Sequence, residues 1–78
     1  MPTVLRSGPY RLFFYSADRE EPRHVHLERN ACRAKFWLDP VRLHDSTGFV
    51  PAELGRVEKV VTQHVEQLRE AWDDFFSA

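Results

Sequence analysis

A chain of 78 residues with 42% hydrophobic and 29% charged side chains has the size and balance of one globular domain, near the limit at which a single core outweighs chain entropy. One cysteine, Cys32, excludes an internal disulfide, no apolar run approaches the roughly 20 residues that span a bilayer, and the start Met1-Pro2-Thr3-Val4-Leu5-Arg6 lacks the pattern of a secretory signal, so a cytoplasmic protein with no membrane partner is expected. The net charge of −1 conceals eight Lys/Arg against six Asp/Glu in residues 1–50 and three against six in residues 51–78, a mild polarity that excludes the strongly basic footprint of a dedicated nucleic-acid binder.

Residues 3–6 alternate weakly and stop at the turn cluster Ser7-Gly8-Pro9, after which residues 10–16 form a β-rich run containing Phe13, Phe14 and Tyr15. Leu12 and Phe14 fall on one alternating face, Phe13 and Tyr15 on the other. That pattern predicts a central strand covered on both sides. Residues 17–23 read as a polar loop ending in Glu21-Pro22-Arg23. His24-Val25-His26-Leu27-Glu28 then alternates as a half-buried strand, and residues 33–39 resume the alternation beyond Asn30-Ala31, the place of a two-residue hairpin turn. A type I′ turn needs positive φ at both positions, which alanine resists, so a longer or strained turn is expected.

With Asn30 and Ala31 as loop residues, Arg29 faces Cys32, Glu28 faces Arg33, Leu27 faces Ala34, His26 faces Lys35, Val25 faces Phe36 and His24 faces Trp37. Val25, Leu27, Ala34, Phe36 and Leu38 make an apolar face; His24, His26, Glu28, Arg33, Lys35 and Trp37 make the other. Pro40 ends the strand or bends it into residues 41–44. After the turn chemistry of Asp45-Ser46-Thr47-Gly48, Pro51 and Glu53 mark a helix start, with Phe49 placed to staple Leu54. Leu54, Val57, Val61, His64, Leu68, Trp72 and Phe76 lie on one apolar stripe. A single helix over residues 51–76 would be about 39 Å long, beyond the roughly 30 Å of so small a domain. It is expected to kink between Thr62 and Glu66, to overhang, or to pair with a second copy, which favours a homodimer or a partner-bound form.

The expected fold is therefore a single α+β domain over residues 1–78. A small antiparallel sheet of three to five strands in residues 1–46 is followed by a long, kinked C-terminal amphipathic helix at residues 51–76, packed on the Val25/Leu27/Phe36 face.

Two chemistries present themselves on the polar face. His24 and His26, one strand step of about 6–7 Å apart, form a weak candidate metal set with Glu28, His44 or Asp39 completing it; the spacing is not specific, and no cofactor is assigned. Alternatively His24 and His26 move protons while Lys35 holds phosphate, as metal-independent RNA cleavage requires, with Arg33, Trp37, Tyr15 and Glu28 shaping the binding surface. The residues do not decide between an enzyme and a binding domain. His64 reads as a core-edge histidine with one satisfied nitrogen, Cys32 as inert, and Trp72, Phe75 and Phe76 as closing the core or forming a partner patch.

Gly8-Pro9-Tyr10, Phe14-Tyr15-Ser16, Glu21-Pro22-Arg23-His24-Val25-His26, Ala34-Lys35-Phe36-Trp37-Leu38 and Ala71-Trp72 resemble the bacterial family called domain of unknown function 4160 over essentially the whole chain. Arg23 stands where members commonly carry a second proline. The resemblance implies no established activity and carries over only Pro22, His24 and His26 as motif positions. Genes of that family often adjoin those of domain of unknown function 2442, a pairing that looks like a type II toxin and antitoxin. It implies one half of a two-protein module partnered by a small protein from the neighbouring gene, and the toxin-like half is expected, acting on RNA if the polar face carries the second of the two chemistries above. The alternatives are a non-catalytic protein–protein interaction domain and a small metal-binding protein.

Overall fold

The computed structural model describes residues 3–77; Met1, Pro2 and Ala78, the ends of the expected domain and the opening of the N-terminal segment, lie outside the described residues. Five strands run in chain order: β1 (Thr3–Ser7), β2 (Tyr10–Phe13), β3 (His24–Arg29), β4 (Cys32–Leu38) and β5 (Val41–Thr47). They pair antiparallel with each nearest sequence neighbour, in the order β1-β2-β3-β4-β5. Two helices follow, α1 (Pro51–Gln63) and α2 (Val65–Phe76).

Local chemistry sets the turns. Gly8 takes φ of 57° in the two-residue link between Ser7 and its partner Tyr10, a conformation glycine adopts without a Cβ penalty. In the β3–β4 hairpin only Asn30 takes positive φ, at 54°. Ala31 is thereby spared the left-handed conformation, and the tight turn forms where strain was expected. The β3–β4 register is the expected one at every pair, from Arg29 opposite Cys32 to His24 opposite Trp37.

Leu12, Phe14, Val25, Leu27, Ala34, Phe36 and Leu38 line one sheet face and are buried against Val57 and Val61 of α1 and Leu68 and Trp72 of α2. The C-terminal segment is two helices rather than one continuous helix. His64 parts them with φ of −111° and ψ of 14°, its Nδ1 donating to the Val60 carbonyl at 2.9 Å. An unbroken 26-residue rod would carry part of its stripe past the sheet; the break lets both halves bury theirs.

The helices are tied to the sheet by polar clamps. Arg29 holds Glu53 at 2.7 Å and Tyr10 donates its hydroxyl to the same carboxylate. Arg23 bridges Asp39 and Asp73, and Arg69 reaches Asp39 and the Leu38 carbonyl. No helix of the described residues is long and apolar enough to cross a membrane.

The opposite sheet face bears no helix. It is covered by its own rings: Arg11 lies over Phe13, Phe13 stacks on His26, Tyr15 meets His26 edge-on, and His24 and His44 flank Trp37. A 3-10 turn at Ser16–Glu20, inside the segment expected as plain loop, closes the end of this face nearest β3. Phe13 is 2% exposed as a result.

Candidate functional site

The 3-10 turn brings Asp18 against the start of β3. The turn is held by the Asp18 N–H donating to the Tyr15 carbonyl at 3.0 Å and by the Tyr15 N–H donating to Asp18 Oδ2 at 2.8 Å, a reciprocal capping arrangement. The same Oδ2 lies 3.0 Å from His26 Nε2 and 3.2 Å from His24 Nε2. Strand alternation puts both imidazoles on one face, with ring centroids 5.1 Å apart.

The two histidines differ. His24 is fully buried, its ring packed on Trp72 and Trp37, and Nδ1 donates to the Pro22 carbonyl at 2.9 Å. Its Nε2 has no hydrogen-bond partner, because the Asp18 oxygen, although close, is out of line. His26 keeps 18% of its side chain exposed, and burial holds its imidazole below the ordinary value against the opposing pull of the Asp18 carboxylate.

Beside this cluster His26 also lines a shallow cleft of about 210 Å³, together with Tyr15, Arg33, Lys35, Asp45 and Thr47. Lys35 is held by Glu21 at 2.7 Å, and that hydrogen bond keeps the Glu21 carboxyl below its usual range. Arg33 is exposed and makes no ion pair among the described residues.

Sequence reasoning joined His24, His26 and Lys35; the structure sets Lys35 opposite His26 at the cleft and His24 beside His26 but buried away from the cleft. It places Glu28 elsewhere: Glu28 pairs with Arg11 at 2.6 Å, because the β2–β3 register sets Arg11 opposite it, and it neither joins the histidines nor neutralises Arg33. Asp39 is engaged by Arg23 and Arg69, and His44 packs on Trp37; neither reaches the cluster. Trp37 is enclosed by His24, His44 and Lys35, so Tyr15 is the aromatic at the cleft. The residue sequence reasoning missed is Asp18. Its one sequence signal is the capping distance of three residues from Tyr15, where the β-rich run ends.

Matching of the chain to family profiles gives the domain of unknown function DUF4160 over residues 10–73, most of the chain. The chain belongs to that family. The DUF4160 match takes in β2 through most of α2, and with them Asp18, His24, His26 and every residue of the cleft, while β1 precedes it. No curated protein and no solved structure matches the chain.

Proposed function

We propose that the protein is the toxin-like component of a two-protein module and that it engages the phosphate backbone of RNA across the helix-free face of its sheet. The observation that carries this reading is the cleft in which Arg33, free of any ion pair among the described residues, stands beside Lys35 and Tyr15. The face around it carries Arg6, Arg11, Arg33, Lys35 and Arg42 against Asp18, Glu21, Glu28 and Asp45, whereas the helices carry Glu53, Glu58, Glu66, Glu70, Asp73 and Asp74 against Arg56, Lys59 and Arg69. A polyanion is repelled by the second surface, and on the nearly balanced first one the attraction comes from Arg33 at the cleft, unpaired among the described residues.

The cleft volume of about 210 Å³ falls short of the roughly 300–1,000 Å³ typical of small-molecule sites. It suits one phosphate or ribose of a longer strand rather than a whole ligand. Binding is the better supported activity: His24 is fully buried and cannot touch a substrate, and His26 Nε2 is engaged by Asp18.

Fluorescence anisotropy with a labelled single-stranded RNA at several salt concentrations tests the proposal. Binding should weaken with salt, and Arg33→Glu should lower affinity by roughly tenfold while reducing the salt slope by about one phosphate contact. Absence of binding at low salt, an unchanged Arg33→Glu variant, or equal binding of an acidic peptide would overturn the RNA reading, the last in favour of a protein-interaction domain. Expression without the partner should arrest growth, and Arg33→Glu should relieve the arrest.

A further inference from the structure

We infer that Asp18, His24 and His26 form a binding site for a divalent transition-metal ion of the zinc class. The inference begins with the fully buried His24. A carbonyl oxygen can only accept, so the 2.9 Å contact of Nδ1 with the Pro22 carbonyl fixes the proton on Nδ1 and leaves Nε2 of the neutral ring as a bare lone pair. That lone pair is buried and has no hydrogen-bond partner, and a carboxylate oxygen lies 3.2 Å away, off its hydrogen-bonding line. Two acceptors lie side by side. A buried polar atom without a partner is costly, and what satisfies both atoms at once is a cation between them.

The surrounding geometry fits such an ion. One donor atom each from Asp18, His24 and His26 lie within 4.8 Å of one another. The Asp18–His24 and Asp18–His26 separations of 3.2 and 3.0 Å compare with edges of about 3.3–3.5 Å expected when Zn–N and Zn–O bonds of about 2.0–2.2 Å meet at a tetrahedral centre. The two histidine donor atoms, within 4.8 Å of one another, would have to close to the same edge by up to about 1.3 Å, a movement that falls to the partly exposed His26 ring rather than to the enclosed His24.

The Nδ1–H bond from His24 to a backbone carbonyl is the orienting contact that metal-bound histidines usually make, fixing both tautomer and ring direction. Two imidazoles and one carboxylate suit zinc or iron(II) better than calcium or magnesium, which prefer all-oxygen shells. Among the described residues no fourth protein donor joins the three, which leaves a coordination position for water. The remaining exposure belongs to Asp18 and His26, at 12% and 18% of their side chains, and His26 also lines the cleft, so solvent reaches the ion from the cleft side.

The full chain, stripped with a chelator and dialysed, is titrated with zinc chloride in a calorimeter, and cobalt(II) is added in parallel to read the geometry from its visible spectrum. One zinc per chain is expected, with Asp18→Asn and His26→Gln each weakening it by more than roughly 100-fold, beyond the 10–100-fold typical of losing a mere orienting partner. Glu28→Gln should bind zinc as the parent does. Circular dichroism on each variant separates loss of a ligand from loss of fold, and two independent ligand variants guard against one failing to fold. No zinc heat in the parent, in which case a proton on His24 fills the role assigned to the ion, or affinity unchanged in a folded Asp18→Asn or His26→Gln protein, would overturn the inference.

Discussion

Docking of α2 on the sheet is what seals the histidine cluster, and Phe14 is the residue that tests it. Phe14 is fully buried, with ring centroids 5.2 Å from Trp72, 5.8 Å from Phe75 and 6.2 Å from Phe76; Trp72 in turn lies 5.0 Å from His24. Truncating a buried phenylalanine to alanine costs about 3–5 kcal/mol, of which aromatic pairing contributes about 0.5–1.5 kcal/mol per pair beyond area. A domain of 78 residues at roughly 0.05–0.15 kcal/mol per residue has about 4–12 kcal/mol in total. Phe14→Ala should therefore lose a quarter or more of its stability and remain folded only under mild conditions. With a urea slope of about 1–1.5 kcal/mol/M for a chain this small, the unfolding midpoint should fall by at least 2 M. Phe75→Ala is the internal control: Phe75 touches the same rings but is 37% exposed, and its truncation should cost less than about 1.5 kcal/mol. Equal losses in the two variants, or a loss below about 1.5 kcal/mol for Phe14→Ala, would refute the docking of α2 over Phe14 and His24.

Two further expectations concern titration and the buried ring. The hydrogen bond from Arg29 holds the Glu53 carboxyl below its reference value of 4.5; its folded-state pKa being depressed, the stability it contributes is present above pH 4.5 and is lost as pH falls through the folded value. Urea midpoints of the parent and Glu53→Gln should differ at pH 6 and converge as the pH falls through the depressed folded-state value; a gap that persists in acid would show that the Arg29–Glu53 contact does not govern that part of acid unfolding. His24→Leu removes the unpartnered Nε2 along with the Nδ1 donor, two effects of about 1–3 and 0.5–1.5 kcal/mol that oppose each other, so the metal-free variant should be within about 1 kcal/mol of the parent or above it while losing zinc. A larger loss in thermal or urea melts would mean that His24 is an imidazolium paired with Asp18.

How much of this was legible in the sequence depends on which interactions are local. The β3–β4 register followed from period-two alternation and a loop of two residues, since a slip of one position would have turned Val25 and Leu27 outward. The register of β2 on β3 did not follow, because residues 14–23 intervene and leave the pairing free. The β3–β4 register sets Glu28 opposite Arg33, but the carboxylate turns to Arg11 on the other neighbouring strand, a pairing that alternation alone does not disclose. The apolar stripe of residues 54–76 was plain, but α1 and α2 share it, so periodicity alone could not separate one helix from two parted at His64. The cover of the second face was unreadable for a different reason: it comes from ring-on-ring contacts among Phe13, Tyr15, His24, His26 and Trp37, each of which is unremarkable as an isolated letter. Asp18 looked like one more polar loop residue until the 3-10 turn set it on β3.

The cluster is also where the sequence departs from what stability alone would select. At this size every buried position contributes to a margin of about 4–12 kcal/mol, and the position of His24, between Trp37 and Trp72 with no exposed surface, is one that leucine or phenylalanine would fill without any polar group to satisfy. An imidazole there brings an unpartnered nitrogen worth about 1–3 kcal/mol of destabilisation, a large share of the whole. The neighbouring Asp18 does not compensate, because its Oδ2, although 3.2 Å away, lies out of hydrogen-bonding line. Local preference, burial and polar satisfaction agree nearly everywhere else in the sheet, and such disagreements in an otherwise consistent fold concentrate at sites under functional constraint. At the inferred zinc site the nitrogen behind that cost becomes the free donor atom the ion would require, and a metal-free protein no less stable as His24→Leu is the result that would tie the two together.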